Sequence, residues 1–241
     1  MEWNIGCSGY HHPEWKRIFY PEDIAHRKWF EYYANHFNTL ELNVTYYKFP
    51  QVESLKRWYE RSPRGFTFSV KAPRLVTHNK KFNNAQRLLH DFNETAKEGL
   101  QEKLGCVLFQ FPSNFHYDRE KLDRVLEMLD PSVRSVVEFR HSSWWNDEVY
   151  DGLAEAGIIF CNMSHPALPD RVIGTTDTLY YRFQGVPHLY TSAYETRKLE
   201  QIAHEMLTSN ARRAFIYFNN TADGNAIINA KQLQDICELV H

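Results

Sequence analysis

Cys106-Val107-Leu108-Phe109-Gln110-Phe111, then Asp118 opening a stretch with Leu122, Val125, Leu126 and Leu129, then Pro131 and Ser135-Val136-Val137-Glu138-Phe139-Arg140, is the passage on which the fold turns. The two flanking runs are short, rich in Val and Phe, and nearly continuous in apolar character, as strands buried on both faces are. Between them the apolar residues fall at i, i+3, i+4 and i+7, one face of a helix that Asp118 can cap and that ends before Pro131. Strand, amphipathic helix, strand is the βαβ unit of a parallel sheet.

Working outward, the same unit recurs along the whole chain. Strand-like runs are expected at 3–7, 39–43, 66–71, 106–111, 135–140, 158–162, 179–183 and 214–219, with room for one crossover helix in each interval. Ala85, Leu88, Leu89, Phe92 and Ala96 make one further helical stripe. Ser192 is expected to open another carrying Leu199, Ile202, Met206 and Leu207, and a last helix from about Asn225 offers Ala226, Ala230, Leu233, Cys237 and Val240. Eight such units predict an α/β protein of the (β/α)8 TIM-barrel type, with residues 1–241 as a single domain. An open doubly wound sheet is the competing architecture, but Gly6-Cys7-Ser8-Gly9 is too short for its glycine-rich first turn.

Composition removes other classes. A chain of 241 residues buries roughly 70–75% of its unfolded surface and needs no disulfide or structural metal to build a core. The 28 Lys+Arg against 30 Asp+Glu leave a formal charge of −2, which argues against a broadly basic nucleic-acid binder. Cys7, Cys106, Cys161 and Cys237 form no C-x-x-C pair and read as buried thiols. The first residues lack a basic n-region and an apolar h-region, and no run approaches the roughly 20 apolar residues of a membrane span, so a cytoplasmic, membrane-free protein is expected.

In such a barrel the active site lies at the carboxyl ends of the strands, and side chains alternate between the two faces of each strand. Glu41 and Asn43 oppose Leu40 and Leu42; Ser69 and Lys71 oppose Phe68 and Val70; Glu138 and Arg140 oppose Val137 and Phe139. The same reading brings Ser8, Gln110, Asn162, Arg182 and Asn219 to the mouth. Two carboxylates and three cations there are costly to desolvate unless they pair or hold a ligand. Pairing alone, as buried structural ion pairs Glu138–Arg140 and Glu41–Lys71, is the bland account. Beyond the strands, His78, His141 and Trp144 follow in loops, and Tyr10, Trp15 and Tyr20 follow the first strand, either as a wall for a sugar or base or as rim packing. The doublet His11-His12 reads as surface.

A divalent metal is not favoured as cofactor. Glu41, Glu138, His78 and His141 are the candidate ligands, and the interspersed Lys71, Arg140 and Arg182 would repel a cation. Three cations with Gln and Asn donors instead suit a phosphate or carboxylate.

At these positions the chain resembles a known family. Gly6-Cys7-Ser8-Gly9-Tyr10, Leu40-Glu41-Leu42-Asn43 with Tyr46-Tyr47, Phe66-Thr67-Phe68-Ser69-Val70-Lys71 with Thr77-His78, Leu108-Phe109-Gln110-Phe111-Pro112, Glu138-Phe139-Arg140-His141, Tyr181-Arg182-Phe183 and Tyr217-Phe218-Asn219-Asn220 are similar to the blocks of the YecE-like family, domain of unknown function 72. The resemblance implies a TIM barrel whose shape is distantly similar to metal-dependent endonucleases and sugar isomerases, and it carries no established reaction. It also implies motif positions at Glu41, Asn43, Lys71, His78, Gln110, Glu138, Arg140, Arg182 and Asn219. Gln184 departs from the pattern, where His is expected in relatives.

Three functions compete. The leading one is an enzyme for a small phosphorylated or otherwise anionic, sugar- or nucleotide-like substrate. Glu41, Glu138 and His78 would serve as acid/base groups, and Ser8, Tyr10, Asn43, Lys71, Gln110, Arg140, Asn162, Arg182 and Asn219 as binding groups. The alternatives are a metal-dependent nucleic-acid phosphodiesterase, which the net charge disfavours, and a non-catalytic module that binds an anionic metabolite.

Overall fold

The computed structural model describes residues 1–239, so Val240, expected in the last helical stripe, lies outside the described residues. Eight strands form one parallel sheet: β1 Glu2–Cys7, β2 Thr39–Leu42, β3 Thr67–Lys71, β4 Leu104–Phe111, β5 Ser135–Phe139, β6 Ile159–Ser164, β7 Thr178–Phe183 and β8 Arg213–Phe218. Their order, β1-β8-β7-β6-β5-β4-β3-β2, is that of a sheet curled so that first and last strands pair. The fold is the expected (β/α)8 barrel. The helices are α1 Trp29–Ala34, α2 Val44–Tyr47, α3 Val52–Arg61, α4 Gln86–Leu100, α5 Arg119–Met128, α6 Asp147–Glu155, α7 Thr196–Leu207 and α8 Asn225–Leu239. No helix among the described residues is long and apolar enough to cross a membrane.

Local rules place these elements. Asp118 caps α5 by accepting from Lys121 N at 2.9 Å, and Leu122 and Val125 turn inward against the sheet. In α4 the buried residues Leu89, Phe92 and Ala96 follow the expected stripe, and in α7 Leu199, Ile202 and Met206 do so. All four cysteines are buried free thiols.

The remaining seam, between β1 and β2, has no regular ladder and is stitched by side chains. Asn38 accepts from Ile5 N (3.1 Å) and donates to Trp3 O (2.8 Å), standing in for a strand partner. Tyr33 reaches from α1 to accept from Cys7 N (2.7 Å) and donate to Thr39 O (3.0 Å). Gly6 makes this approach possible, since a Cβ there would lie 2.2 Å from Thr39 O. Above the tyrosine the backbone closes the ring, with Gly9 N donating to Glu41 O at 3.0 Å.

Two expectations fail. No helix connects β6 to β7; residues 165–177 cross as an irregular segment held by side chains. Asn162 supplies much of that hold, accepting from Ile173 N (2.7 Å) and donating to Ile173 O (2.9 Å). Thr175 Oγ1 adds to it, accepting from Phe160 N and donating to Ile158 O. The expected crossover helix lacks the apolar stripe it would need, because Pro166, Pro169 and Gly174 interrupt this stretch. Ser192 does not open α7 either. It accepts from His188 N at 3.0 Å inside the preceding loop, and the helix begins after Glu195.

Candidate functional site

Strand register decides which side chains meet inside the barrel. Gln110 sits beside Glu138, Glu41 beside Ser69, Arg182 beside Tyr217 and Gly6 beside Tyr217, so these positions share the inner face. On β6 the residues beside Tyr180 and Arg182 are Cys161 and Met163, not Asn162. Asn162 therefore points outward to the β6–β7 connection and does not join the mouth. Polarity does not reveal this phase, because the inward pair, Cys161 and Met163, is apolar by type.

The floor of the mouth is a closed ionic layer. Arg182, 1% exposed, donates through Nη2 to Glu41 Oε2 (2.8 Å) and through Nη1 to Glu138 Oε2 (2.7 Å). Glu41 also accepts from Tyr180 OH (2.7 Å), Ser8 Oγ (2.5 Å) and, at 3.3 Å, Asn43 Nδ2. Glu138 pairs as well with Arg140 Nε and receives the Cys161 thiol at 3.7 Å. Both carboxylates have no exposed surface. Burial alone would raise the Glu138 carboxyl, but Arg140, Arg182 and Lys71 outweigh it and hold the group well below the usual carboxylate range. Burial would likewise favour a neutral Arg182, and Glu138 and Glu41 reverse that. Cys161 is pushed far up by burial and by Glu138, so its thiol is inert. One level below, Tyr217 OH bridges Thr39 Oγ1 (2.6 Å) and Ser69 Oγ (2.9 Å) and spans the barrel floor.

Above this floor the groups are only partly committed. Lys71 Nζ donates to Gln110 Oε1 at 2.7 Å and lies 4.3 Å from the Tyr46 ring centroid. The expected Glu41–Lys71 ion pair does not form, because Arg182 occupies Glu41. Burial, followed by Arg182, lowers the Lys71 ammonium to about 8 despite Glu138 and Glu41. Gln184 is buried, with its amide 2.8 Å from Asn219; with its oxygen turned to the arginines it accepts from Arg140 Nη2 (3.1 Å) and Arg182 Nη1 (3.2 Å). Gln184 thus sits inside the network and braces both guanidinium groups. Asn43 Oδ1 and Arg182 Nε are buried without a protein partner.

His78 comes from a π-helical turn, Leu75–Asn79, that follows β3, and it packs edge-on against Tyr46 at 5.3 Å. Such turns are uncommon and concentrate at functional sites. Lys81, Phe82 and Asn84, just beyond it, all have positive φ, with Phe82 at 65° anchored on Phe111. Burial, then Lys71 and Arg74, lower His78 to about 4, so its imidazole is neutral at pH 7.

Several aromatics expected near the mouth do other work. Tyr10 packs on Phe30 and Trp58, away from the ionic layer, and is not brought to the binding set. Tyr20 stacks on Trp29 at 4.4 Å, Trp15 is fully buried, and Trp144 stacks on Phe139 at 3.9 Å; these are packing, not a ligand wall. His141 faces Ser143 and stacks on His116. Sequence reasoning missed Tyr180 and Tyr217, yet the signal was present: Tyr180 lies two residues before Arg182 and so shares its face. Among the described residues, no group of three His, Cys, Asp or Glu is placed to hold a metal ion, and the two buried glutamates are already taken by guanidinium groups.

Comparison with known proteins agrees with this architecture. Residues 4–241 match the family model "Protein of unknown function DUF72". The chain is similar to the UPF0759 protein YunF of Bacillus subtilis (strain 168), 25% identical over 256 residues that cover 91% of this chain and 90% of that protein. It is 29% identical over 142 residues to the UPF0759 protein YecE of Escherichia coli (strain K12), covering 58% of this chain and 49% of that one. Among solved structures, a DUF72 family protein of Thermotoga maritima MSB8 superposes with a TM-score of 0.89 at 29% identity, covering 99% of this chain and 100% of that chain. One from Enterococcus faecalis V583 gives 0.83 at 18% identity, covering 99% and 96%. With a family model matching nearly its whole length, this chain belongs to the DUF72 family.

Proposed function

We propose that the barrel mouth is the active site of an enzyme acting on a small phosphorylated or otherwise anionic substrate, such as a sugar or nucleotide derivative. One observation carries the reading: three cationic side chains, Lys71, Arg140 and Arg182, share the mouth with two carboxylates, Glu41 and Glu138, which are taken by Arg182 and Arg140 and leave Lys71 without a carboxylate partner among the described residues. The half-buried polar side chains around this layer include those of Lys71, Arg140, Gln110 and Asn219. They suit the charge-assisted hydrogen bonds of a phosphate or carboxylate.

Glu41 and Glu138 then serve as positioning residues that orient Arg182 and Arg140, rather than as groups that touch substrate. Proton exchange falls to Lys71, whose ammonium titrates near neutrality, and to His78, which is neutral at pH 7. The test is a thermal-shift screen of phosphorylated and carboxylated metabolites, followed by turnover assays on whatever stabilises the protein. A rise in Tm that is lost in Arg140→Gln, with turnover reduced in Glu138→Gln, is the expected result. If Arg140→Gln binds the same ligands equally well, the mouth is not the anion site. Saturable binding with no product would instead make the protein a binding module.

A further inference from the structure

We propose that Lys71 is a covalent nucleophile, its Nζ forming an imine with the aldehyde or ketone carbonyl of a small substrate whose carboxylate or phosphate is held by the neighbouring Arg140. The inference rests on the anion-binding reading of the mouth and narrows its substrate class to anionic carbonyl compounds.

Lys71 has no ionic partner among the described residues: no carboxylate lies within salt-bridge distance of its Nζ, although two lie in the layer beneath. Arg182 has taken both. One acceptor, Gln110 Oε1, meets an ammonium that can donate three hydrogen bonds, and the Tyr46 face meets it on another side. A buried lysine just before β4, Lys103, is the internal contrast. Its Nζ donates to Tyr59 O (2.7 Å), Ser62 O (2.8 Å) and Ser62 Oγ (2.8 Å), which satisfies all three protons at the end of α3. Lys103 is a structural cap. Lys71 is held in place yet left with bonding capacity, at the carboxyl end of a barrel strand where ligands bind.

The surrounding charges favour the reactive form. Burial and the adjacent Arg182 and Arg140 disfavour a third cation more than Glu138 and Glu41 support it, which brings the amine to about 8 and leaves an appreciable neutral fraction at physiological pH. A desolvated lysine beside another cation is a recognised way to activate an amine nucleophile.

The step balances without any oxidant or reductant. The neutral Nζ lone pair attacks the carbonyl carbon, a C–N bond forms, and the carbonyl π electrons move to oxygen, which takes up a proton. The nitrogen then releases a proton, the hydroxyl is protonated and leaves as water, and a protonated imine remains. His78 packs on the same Tyr46 ring as Lys71 Nζ, and we assign its neutral imidazole to accept a proton during these exchanges. Hydrolysis reverses the sequence.

The test uses the full chain, pyruvate and dihydroxyacetone phosphate as carbonyl probes, and sodium cyanoborohydride to reduce the imine to a stable secondary amine. Lactate and glycerol 3-phosphate serve as anions that cannot form it. A single reduced adduct on the peptide containing Lys71, lost in Lys71→Arg and Lys71→Met, and forming faster as pH rises toward 8, is the expected result. Lys71→Arg keeps the positive charge, and a far-UV circular dichroism spectrum and Tm matching those of the parent show that it is folded. If the two control anions bind but Lys71 stays unmodified, or if adducts spread over surface lysines, imine chemistry is overturned and anion binding stands. If none of the four compounds binds, the anion reading itself fails.

Discussion

Arg182 and Lys71 are both cations on the inner face of one barrel, and they deal with burial in opposite ways. Arg182 spreads its charge over two carboxylates on opposite sides of the ring, each fully buried and each further bonded by hydroxyl, amide, guanidinium or thiol. Lys71, higher on β3, meets one amide oxygen and an aromatic face. The planar, forked guanidinium suits the first role and the compact ammonium the second. A charge enclosed by countercharges can only hold the barrel together, whereas one left short of partners can be used by a ligand.

The sharpest way to break this comparison is Arg182→Met. Removing the shared cation strands Glu41 and Glu138 in a layer without solvent, and breaking a buried pair in this way costs about 3–5 kcal/mol. Urea denaturation should show a loss of that size or an insoluble protein. A loss below about 1 kcal/mol would mean that the carboxylates had found other partners and that the layer is not closed. The double variant Glu41→Gln with Arg182→Met should recover part of the loss, because one stranded charge is gone.

A smaller effect sharpens the contrast between the two lysines. Lys103→Met removes three hydrogen bonds at the end of α3, where only Tyr59 O keeps a second donor, Ser62 Oγ, and hydrogen bonds to a charged group contribute about 1.5–3 kcal/mol. Lys71→Met gives up one such bond but also removes an ammonium that sits beside two guanidinium groups, so its stability should stay within about 1 kcal/mol of the parent. Equal losses at both positions would show Lys71 to be as structural as Lys103.

How far this site is legible in the sequence follows from the same strands. On β2, β3 and β5 polar and apolar residues alternate, so Glu41, Lys71, Glu138 and Arg140 could be assigned to the inner face from the pattern alone. On β6 and β7 the alternation is masked. Cys161 and Met163 point inward while Asn162 points out, and Tyr180 and Tyr181 are the same residue type on opposite faces. Asn162 is polar because it replaces the backbone partners that a missing crossover helix would have made unnecessary, and no strand periodicity encodes that. Which carboxylate each cation takes was also illegible. The choice of Arg182 over Lys71 for Glu41 depends on cross-barrel reach, and it is this choice that leaves Lys71 available.

The last prediction is the most specific to Lys71. Its ammonium titrates near 10.5 in the unfolded chain and at about 8 in the fold. Between these values the unfolded state binds more protons than the folded one, so this group makes stability rise with pH across that window. Below about pH 8 both states are protonated and the contribution is flat; above about 10.5 both are neutral and it is flat again. Subtracting the unfolding free energies of Lys71→Met from those of the parent removes the tyrosine and surface-lysine titrations that both proteins share. The difference should climb between pH 8 and 10.5 and nowhere else in the alkaline range. A saturating anion that binds the charged amine would push the start of the climb to higher pH, because it stabilises the protonated form in the fold. A difference curve that stays level, with or without the anion, would place Lys71 in solvent and erase the distinction from Arg182.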